Sequence, residues 1–532
     1  MMDALQYLYS VSALAPILLM AVVGILTKLS RCSTARLWRV FQGCSCLAIP
    51  FTAFSLLTGG SGSLWPWYLK TTPLSLVLAL LVELLGAVIG GFSARYLQGE
   101  AGQRRFVASL ATLLAAVHLL LMADHWLILI LAWASVGAAL QPLLCFYPNR
   151  PFALLAAHKK YIADRAADVM LIGAAAISWG EVGSGSFSAL WDHLATHGIS
   201  WSLHASAIAL IIAVILRTAM LPVHGWLTQV MEAPTPVSAL LHAGVVNLSG
   251  FVLIRFAPLL EQSALARILL LVFGLATAVL AGMVMLTRVS IKVRLAWSTI
   301  AQMGFMLLEC ALGLYEFAAL HLIGHSLYKA HAFLSASTVV RQARLQTLHG
   351  SFSPSAASLA LAPILTVSMV FFVKSLMTGG GVPLPWWWCV VISLSWAPLL
   401  WLPAFPDNLS ARIRLLLSGL VTVVGLTGVV IAAHAVPLGM QNSPHQMSGL
   451  IVLTGMIVLY LFQALLQQRP QSLARWRQWS YAGFYVDEAY TRLALWIWPT
   501  DWTSDSLRRL DHNPSSFRVA YDMPVAEKQE TI

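Results

Sequence analysis

The chain has 532 residues, of which 59% are hydrophobic and only 10% charged, with a formal net charge of +11 and a mean hydropathy of +0.77. Soluble domains carry about 25% charged residues. The composition therefore excludes a soluble enzyme, a disordered regulator and a fibrous protein, and leaves an all-α polytopic membrane protein. The apolar stretches are continuous rather than alternating, which argues against a β-barrel. Six scattered cysteines (Cys32, Cys44, Cys46, Cys145, Cys310, Cys389) form no CxxC pair and no disulfide framework. The opening MMDALQYLYS lacks a basic n-region, so no cleaved signal peptide is expected.

A span needs roughly 20 apolar residues, and about fifteen stretches qualify. They lie near Leu5–Thr27, Val40–Leu57, Pro73–Phe92, Phe106–Met122, Trp126–Tyr147, Ile162–Trp179, Leu203–Leu221 and Val237–Leu260. The remainder lie near Ala266–Leu286, Leu295–Leu314, Ala318–Val340, Ala356–Met377, Trp386–Ala404, Leu415–His434 and Met447–Leu466. Loops rich in Lys and Arg stay cytoplasmic. The loops after odd spans hold 18 basic residues: Lys28, Arg31, Arg36, Arg39, Arg95, Arg104, Arg105, Arg150, Lys159, Lys160, Arg165, Arg288, Lys292, Arg294, Arg341, Arg344, Arg412 and Arg414. The even loops hold only Lys70 and Arg267, and the segment after span 15 adds eight more. This alternation places the N-terminus outside and the C-terminus in the cytoplasm. It also divides the chain into a transmembrane domain, 1–466, and a cytoplasmic C-terminal segment, 467–532.

Four basic residues remain, Arg217, Arg255, Lys329 and Lys374, and all fall inside apolar spans. A charge at mid-bilayer costs at least about 2.5–3.5 kcal/mol and ordinarily faces a bundle interior or a water-filled path. Arg217 precedes Pro222 by five residues, and Pro234 and Pro236 precede the next span. Proline breaks helices, and a break at membrane depth is tolerated where it lines a cavity. His224, Glu232 and His242 lie close to this break. Glu232 is either a capping loop carboxylate or a member of the path, and His242 either a carbonyl-bonded buried histidine or a carrier.

Span 11 places His321, His325 and Lys329 at i, i+4 and i+8. At 3.6 residues per turn they share one helical face, a stack about 6 Å apart suited to proton hopping. His331 points to another face. Lys374 either snorkels or joins the path, and Arg255 reads as snorkelling or structural. Glu83 and Glu309 are lone span carboxylates, proton carriers or protonated packing residues. Asp164 and Asp168, beside Arg165, read as charges at the entrance to span 6. No GxGxxG, P-loop, HExxH, GxSxG or CxxCH is present. The basic residues alternate with spans rather than lining a groove, so nucleic-acid binding has little support.

The stretch LPVHGWLTQVMEAPTPVSALLHAG, with IKVRLAWSTIAQMGFM and HLIGHSLYKAHAFL, resembles the antiporter-like membrane subunits shared by proton-pumping NADH:quinone oxidoreductases (subunit L) and multisubunit sodium/proton antiporters. The resemblance covers roughly residues 70–380 well and the rest more loosely. It implies an antiporter-like fold with broken helices near spans 7 and 12. It also implies a central hydrated axis through His242, His321, His325, Lys329 and Lys374, with Glu232 beside it. In that family a span 7 lysine pairs with a span 5 glutamate. Here Arg217 stands for the lysine, and Trp133-Ala134 stands where the glutamate belongs, with no carboxylate nearby. Arginine stays protonated in proteins, so it cannot shuttle a proton as lysine does.

FSARYLQGE, STIAQMGFMLLEC, HSLYKAHAFLSAS and WSYAGFYVDEAYTRLALWIWP look like one branch of that family, the DabB-type membrane subunits of two-component inorganic-carbon pumps. The absence of a long lateral amphipathic helix after them is in keeping with that branch. The resemblance implies accumulation of CO2 or bicarbonate driven by an H+ or Na+ gradient at the cell inner membrane. The chemistry would reside in a soluble, zinc-containing, β-carbonic-anhydrase-like partner (DabA-type), and this chain would carry no cofactor of its own. The alternatives are a subunit of a redox-driven proton pump or antiporter, and a structural membrane scaffold. In the tail, Trp476, Trp479, Tyr481, Phe484, Tyr485, Asp487, Glu488, Tyr490 and Arg492 mix aromatics and charge. That mixture suits either a partner-docking surface or an interfacial helix.

Overall fold

The computed structural model describes residues 2–29, 32–58, 62–65, 67–336, 354–378, 384–403, 409–434, 436–469 and 471–499. Arg31, Arg341, Arg344 and the tail beyond residue 499, with its last four basic residues, lie outside the described residues.

The chain is helical nearly throughout. In order, the helices are α1 (Met2–Leu29), α2 (Thr34–Leu57), α3 (Pro73–Tyr96), α4 (Gln103–Met122), α5 (Trp126–Leu144), α6 (Pro151–Val182), α7 (Phe187–His197), α8 (Trp201–Arg217), α9 (Gly225–Gln229), α10 (Thr235–Ala243) and α11 (Leu248–Arg255). They continue as α12 (Ala257–Gln262), α13 (Ala264–Thr287), α14 (Ile291–Ala311), α15 (Tyr315–Leu334), α16 (Ala356–Thr378), α17 (Trp386–Trp396), α18 (Leu409–Ala433), α19 (Gln446–Gln468), α20 (Ala474–Tyr481) and α21 (Val486–Ile497). A small antiparallel hairpin pairs Gly62–Trp65 with Leu69–Thr71.

Among the described residues, ten helices are long and apolar enough to cross a membrane, and Trp201–Arg217 and Trp386–Leu400 are apolar but shorter. The burial pattern fits a lipid solvent. Leu29, Leu57, Val169, Ile268 and Val421 face outward, while Lys159, Lys160, Asp164, His242, His325 and Lys329 are buried. In hydrocarbon the polar groups must find partners inside the bundle.

Local chemistry explains the helix starts. Thr72 and Ser75 form a reciprocal capping box ahead of Pro73, with backbone-to-hydroxyl distances of 2.8 and 3.1 Å. Pro151 occupies the first turn of α6, where a missing N–H costs nothing. This placement corrects the loop reading of Lys159, Lys160 and Arg165. All three lie inside α6, which begins 11 residues ahead of the apolar stretch at Ile162. The charges at Lys159, Lys160, Asp164, Arg165 and Asp168 interrupt the apolar run in the middle of the helix, so hydropathy sees only its C-terminal part.

α8 ends at Arg217, and the chain turns through residues 218–224 before the short α9. The Leu221 amide there donates to Thr277 Oγ1 at 3.3 Å, which satisfies a donor the break would orphan. The stretch expected as one span from Val237 to Leu260 is itself divided, into α10, α11 and α12. Its first division falls at Gly244 and a single 3-10 turn, Val245–Asn247. Near span 12 the expected interruption is not seen within Ala356–Thr378, and residues 379–383 are outside the described residues. α6 packs on α8, α14 on α15, and α10 on α15. These three pairings bring the polar residues together.

Candidate functional site: a buried ionisable axis

The first cluster forms where α6 meets α8. Lys160, Asp164 and Asp168 recur at i, i+4 and i+8, so α6 presents them on one face. Lys160 Nζ bonds Asp164 Oδ2. Arg217 Nη2 donates to Asp168 Oδ1, its Nη1 donates to the Trp133 carbonyl at 2.5 Å, and its Nε lies 3.9 Å from Asp164 Oδ1. Arg165, half exposed, reaches Asp168 Oδ2 at 2.7 Å. Arg217 also lies over the Trp133 ring, 5.1 Å from its centroid, a cation–π contact. α5 leaves room for the cluster at Gly137, where an added methyl would stand 2.8 Å from Asp164 Oδ2.

This geometry overturns two expectations. Asp164 and Asp168 are not end-of-helix charges, and Arg217 does not lack a carboxylate. The partner comes from α6 instead of α5, while α5 contributes only the Trp133 carbonyl and ring. The signal was available, since the i, i+4, i+8 spacing on α6 matches that of His321, His325 and Lys329 on α15. The charges that moved the expected start of the helix to Ile162 also led its stripe to be read as an entrance.

The second cluster lies between α10, α14 and α15. Lys329 is buried, and its Nζ donates to the Leu295 carbonyl at 3.0 Å and to Ser298 Oγ at 2.7 Å. His321 and His325 stand with ring centroids 6.1 Å apart, and His321 Nδ1 meets Glu309 Oε2 at 3.0 Å. Both ring nitrogens of His242 and of His325 are buried without a hydrogen-bond partner among the described residues. The carbonyl-bonded reading of His242 is therefore corrected. It stacks on Phe333, with ring centroids 4.5 Å apart. Across the division after α10, Asn247 Nδ2 donates to Ser326 Oγ at 2.7 Å. A cavity of about 840 Å³ opens on this stripe, lined among others by Glu309, His321, His325, Lys329, Phe305 and Trp388.

The remaining candidates stand apart. Lys374, on α16, donates to the Leu384 carbonyl at 2.7 Å and is not part of the cavity lining. Glu232 sits on the 3-10 turn between α9 and α10, where its backbone carbonyl accepts from Arg150 Nη1 at 2.6 Å and one carboxylate oxygen is buried without a partner. Arg255 does not snorkel, but pairs with Asp124 at 2.7 Å. Glu83 accepts from the Thr52 hydroxyl, far from Arg217. His331 is exposed. His224 is buried beside Trp297, with ring centroids 4.8 Å apart.

The C-terminal segment is partly taken up by the chain itself. Lys159 Nζ bonds Asp487 Oδ1 of α21 and reaches Thr491 Oγ1 at 2.8 Å, and Tyr490 OH donates to the Lys159 carbonyl at 2.8 Å. Burial, reinforced by Asp487 and Asp164, raises the Tyr490 phenol above its ordinary pKa. Asp487 and Tyr490, read as docking residues, are thus inward contacts, whereas Trp476, Trp479, Tyr481 and Tyr485 are exposed.

Membrane-crossing helices around buried, stacked ionisable groups define an ion-translocating membrane subunit. The model of the NADH:quinone oxidoreductase/Mrp antiporter transmembrane family matches residues 123–389, the stretch that holds both clusters. A probable inorganic carbon transporter subunit DabB from Hydrogenovibrio crunogenus is 38% identical over 447 residues, covering 81% of this chain and 84% of the relative. A probable inorganic carbon transporter subunit DabB2 from Halothiobacillus neapolitanus is 36% identical over 462 residues, covering 81% and 80%. In fold, the chain matches a structure of the Mrp complex from a Dietzia species with a TM-score of 0.60 at 20% identity, covering 98% of this chain and 64% of that one. The chain belongs to the NADH:quinone oxidoreductase/Mrp antiporter family, in its branch of DabB inorganic carbon transporter subunits.

Proposed function

We propose that the chain is the ion-conducting subunit of an energy-coupled inorganic-carbon pump. A cation, H+ or Na+, passes along the buried axis and drives a soluble zinc-containing partner of β-carbonic-anhydrase type to hydrate CO2 in one direction. The path comprises Arg217, His242, His321, His325 and Lys329, extended by Lys160, Asp164, Asp168 and Glu309, with Glu232 and Lys374 at its margins. The chain contributes coupling and holds no cofactor.

One observation carries this reading: two stripes with the same i, i+4, i+8 spacing, on α6 and α15, both turned inward and both engaged with a neighbouring helix. A fixed cation, Arg217, anchors one stripe, and a lysine able to release its proton ends the other. The membrane topology that goes with this function counts α6, α14 and α15 as crossings alongside the ten apolar spans and the two short helices, about fifteen in all. It puts the N-terminus outside, the C-terminus in the cytoplasm and the chain in the cell inner membrane. The segment 467–532 then lies on the side where a soluble partner would act.

The test is uptake of labelled inorganic carbon in carbonic-anhydrase-deficient cells that express this chain with its candidate zinc partner, with and without a protonophore. Uptake that needs both chains and collapses with the gradient supports the reading. No uptake with a bound partner, alongside cation flux in vesicles, would favour an antiporter.

A further inference from the structure

α21 packs against α6 and α9. Lys159 is completely buried, and three side-chain acceptors surround its ammonium: Asp487, Thr491 at 2.8 Å and Gln229 at 3.3 Å. Gln229 Nε2 also donates to Asp487 Oδ2 at 3.0 Å, so the carboxylate bridges α6 and α9. The loop is shaped to receive it. A methyl added at Gly225 would fall 1.3 Å from Asp487 Oδ1 and 2.6 Å from Lys159 Nζ. Beside Gly225, His224 is buried with Nε2 unpartnered. The next residue along α6 is Lys160, which holds Asp164 in the Arg217 cluster. A single helical turn therefore links the C-terminal helix to the first stripe of the axis.

We propose that Asp487 is a positioning residue of the ion path: by holding Lys159 it latches α21 over the α6–α9 end of the axis and keeps that end closed. This rests on the proposed ion-conducting function. Release of the latch leaves Lys159 a buried cation with only neutral acceptors, an arrangement that does not persist. α6 and the α9 turn then open to water at Lys159 and Lys160. Because α20 and α21 also present exposed aromatics, a protein bound to the C-terminal segment could pull the latch directly.

The experiment uses the full chain in proteoliposomes under an imposed cation gradient, with hydrogen exchange measured on the same samples. Asp487→Asn removes the charge, and Gly225→Ala expels the carboxylate without changing any charge. Glu488→Gln, exposed in the same turn, is the control. Asp487→Glu tests rescue of the charge. The expected result is faster exchange confined to residues 151–165 and 221–232 in Asp487→Asn and Gly225→Ala, with several-fold higher flux that adding Lys329→Ala abolishes. Unchanged exchange in both variants, or equal change in Glu488→Gln, overturns the latch. Faster exchange with unaltered flux also overturns a role in the path. Loss of the ion-conducting reading itself shows separately, as wild-type flux no greater than that of Lys329→Ala.

Discussion

Arg217 and Asp168 pair across α8 and α6 although 49 residues separate them. The pair takes the position where the family resemblance led us to expect a partner from α5. Both groups are largely buried, and this is the shortest ion pair that either makes, with Asp164 3.9 Å from Arg217 and Arg165 2.7 Å from Asp168 as further partners. Removing one partner of a buried pair costs about 3–5 kcal/mol, whereas replacing both by apolar groups is often neutral. Asp168→Asn should lower unfolding stability by roughly that amount, and the double variant Asp168→Leu/Arg217→Met should regain most of it. Denaturation in detergent of the three proteins checks this. A single Asp168→Asn as stable as wild type would mean that Asp164, 3.9 Å from Arg217, suffices as its counter-ion.

The same double variant separates stability from transport. With Arg217 gone, the fixed charge that orders the α6 stripe is lost, and flux should fall to background even in a well-folded protein. Arg217→Lys keeps a cation beside Asp168 and should retain flux. Full activity in Arg217→Met would remove this cluster from the path.

Lys329 ends the second stripe, held by a carbonyl and by Ser298. Lys329→Ala should abolish carbon uptake while the complex with its partner still assembles, as judged by co-purification. Ser298→Ala removes one of two acceptors, and a hydrogen bond to a charged group contributes about 1.5–3 kcal/mol. It should reduce uptake without abolishing it.

Gly137 is a packing prediction. A methyl there meets Asp164 Oδ2 at 2.8 Å, and over-packing of this kind costs about 1–3 kcal/mol. Gly137→Ala should displace Asp164 from Lys160 and lower flux. Gly173, where an added methyl meets nothing within 4 Å, should tolerate alanine.

Asp124 and Arg255 form a pair outside both clusters, 2.7 Å apart. Asp124→Asn should destabilise the fold in thermal unfolding, and flux per folded molecule should stay at the wild-type level. A specific flux loss would extend the path to the α5 end of the bundle.

The sequence by itself determined the membrane class, the family, most of the apolar helices and the stripe on α15. Each is a local property. Hydropathy is read within a window of about 20 residues, and a helix repeats its faces every 3.6 residues, so His321, His325 and Lys329 align whatever surrounds them. The same rule applied to Lys160, Asp164 and Asp168, but the charges in the middle of α6 placed its expected start at Ile162 and left Lys160 in a loop. Only the tertiary structure decided which groups pair. Arg217 takes its carboxylate from α6 at Asp168 and only a carbonyl and a ring from α5, His242 and His325 keep nitrogens unpartnered among the described residues, and Asp487 crosses 328 residues of chain to Lys159. Such contacts depend on how helices pack, and in a lipid solvent packing is directed by where buried polar groups can be satisfied. That condition belongs to the assembled bundle and is written in no single segment of it.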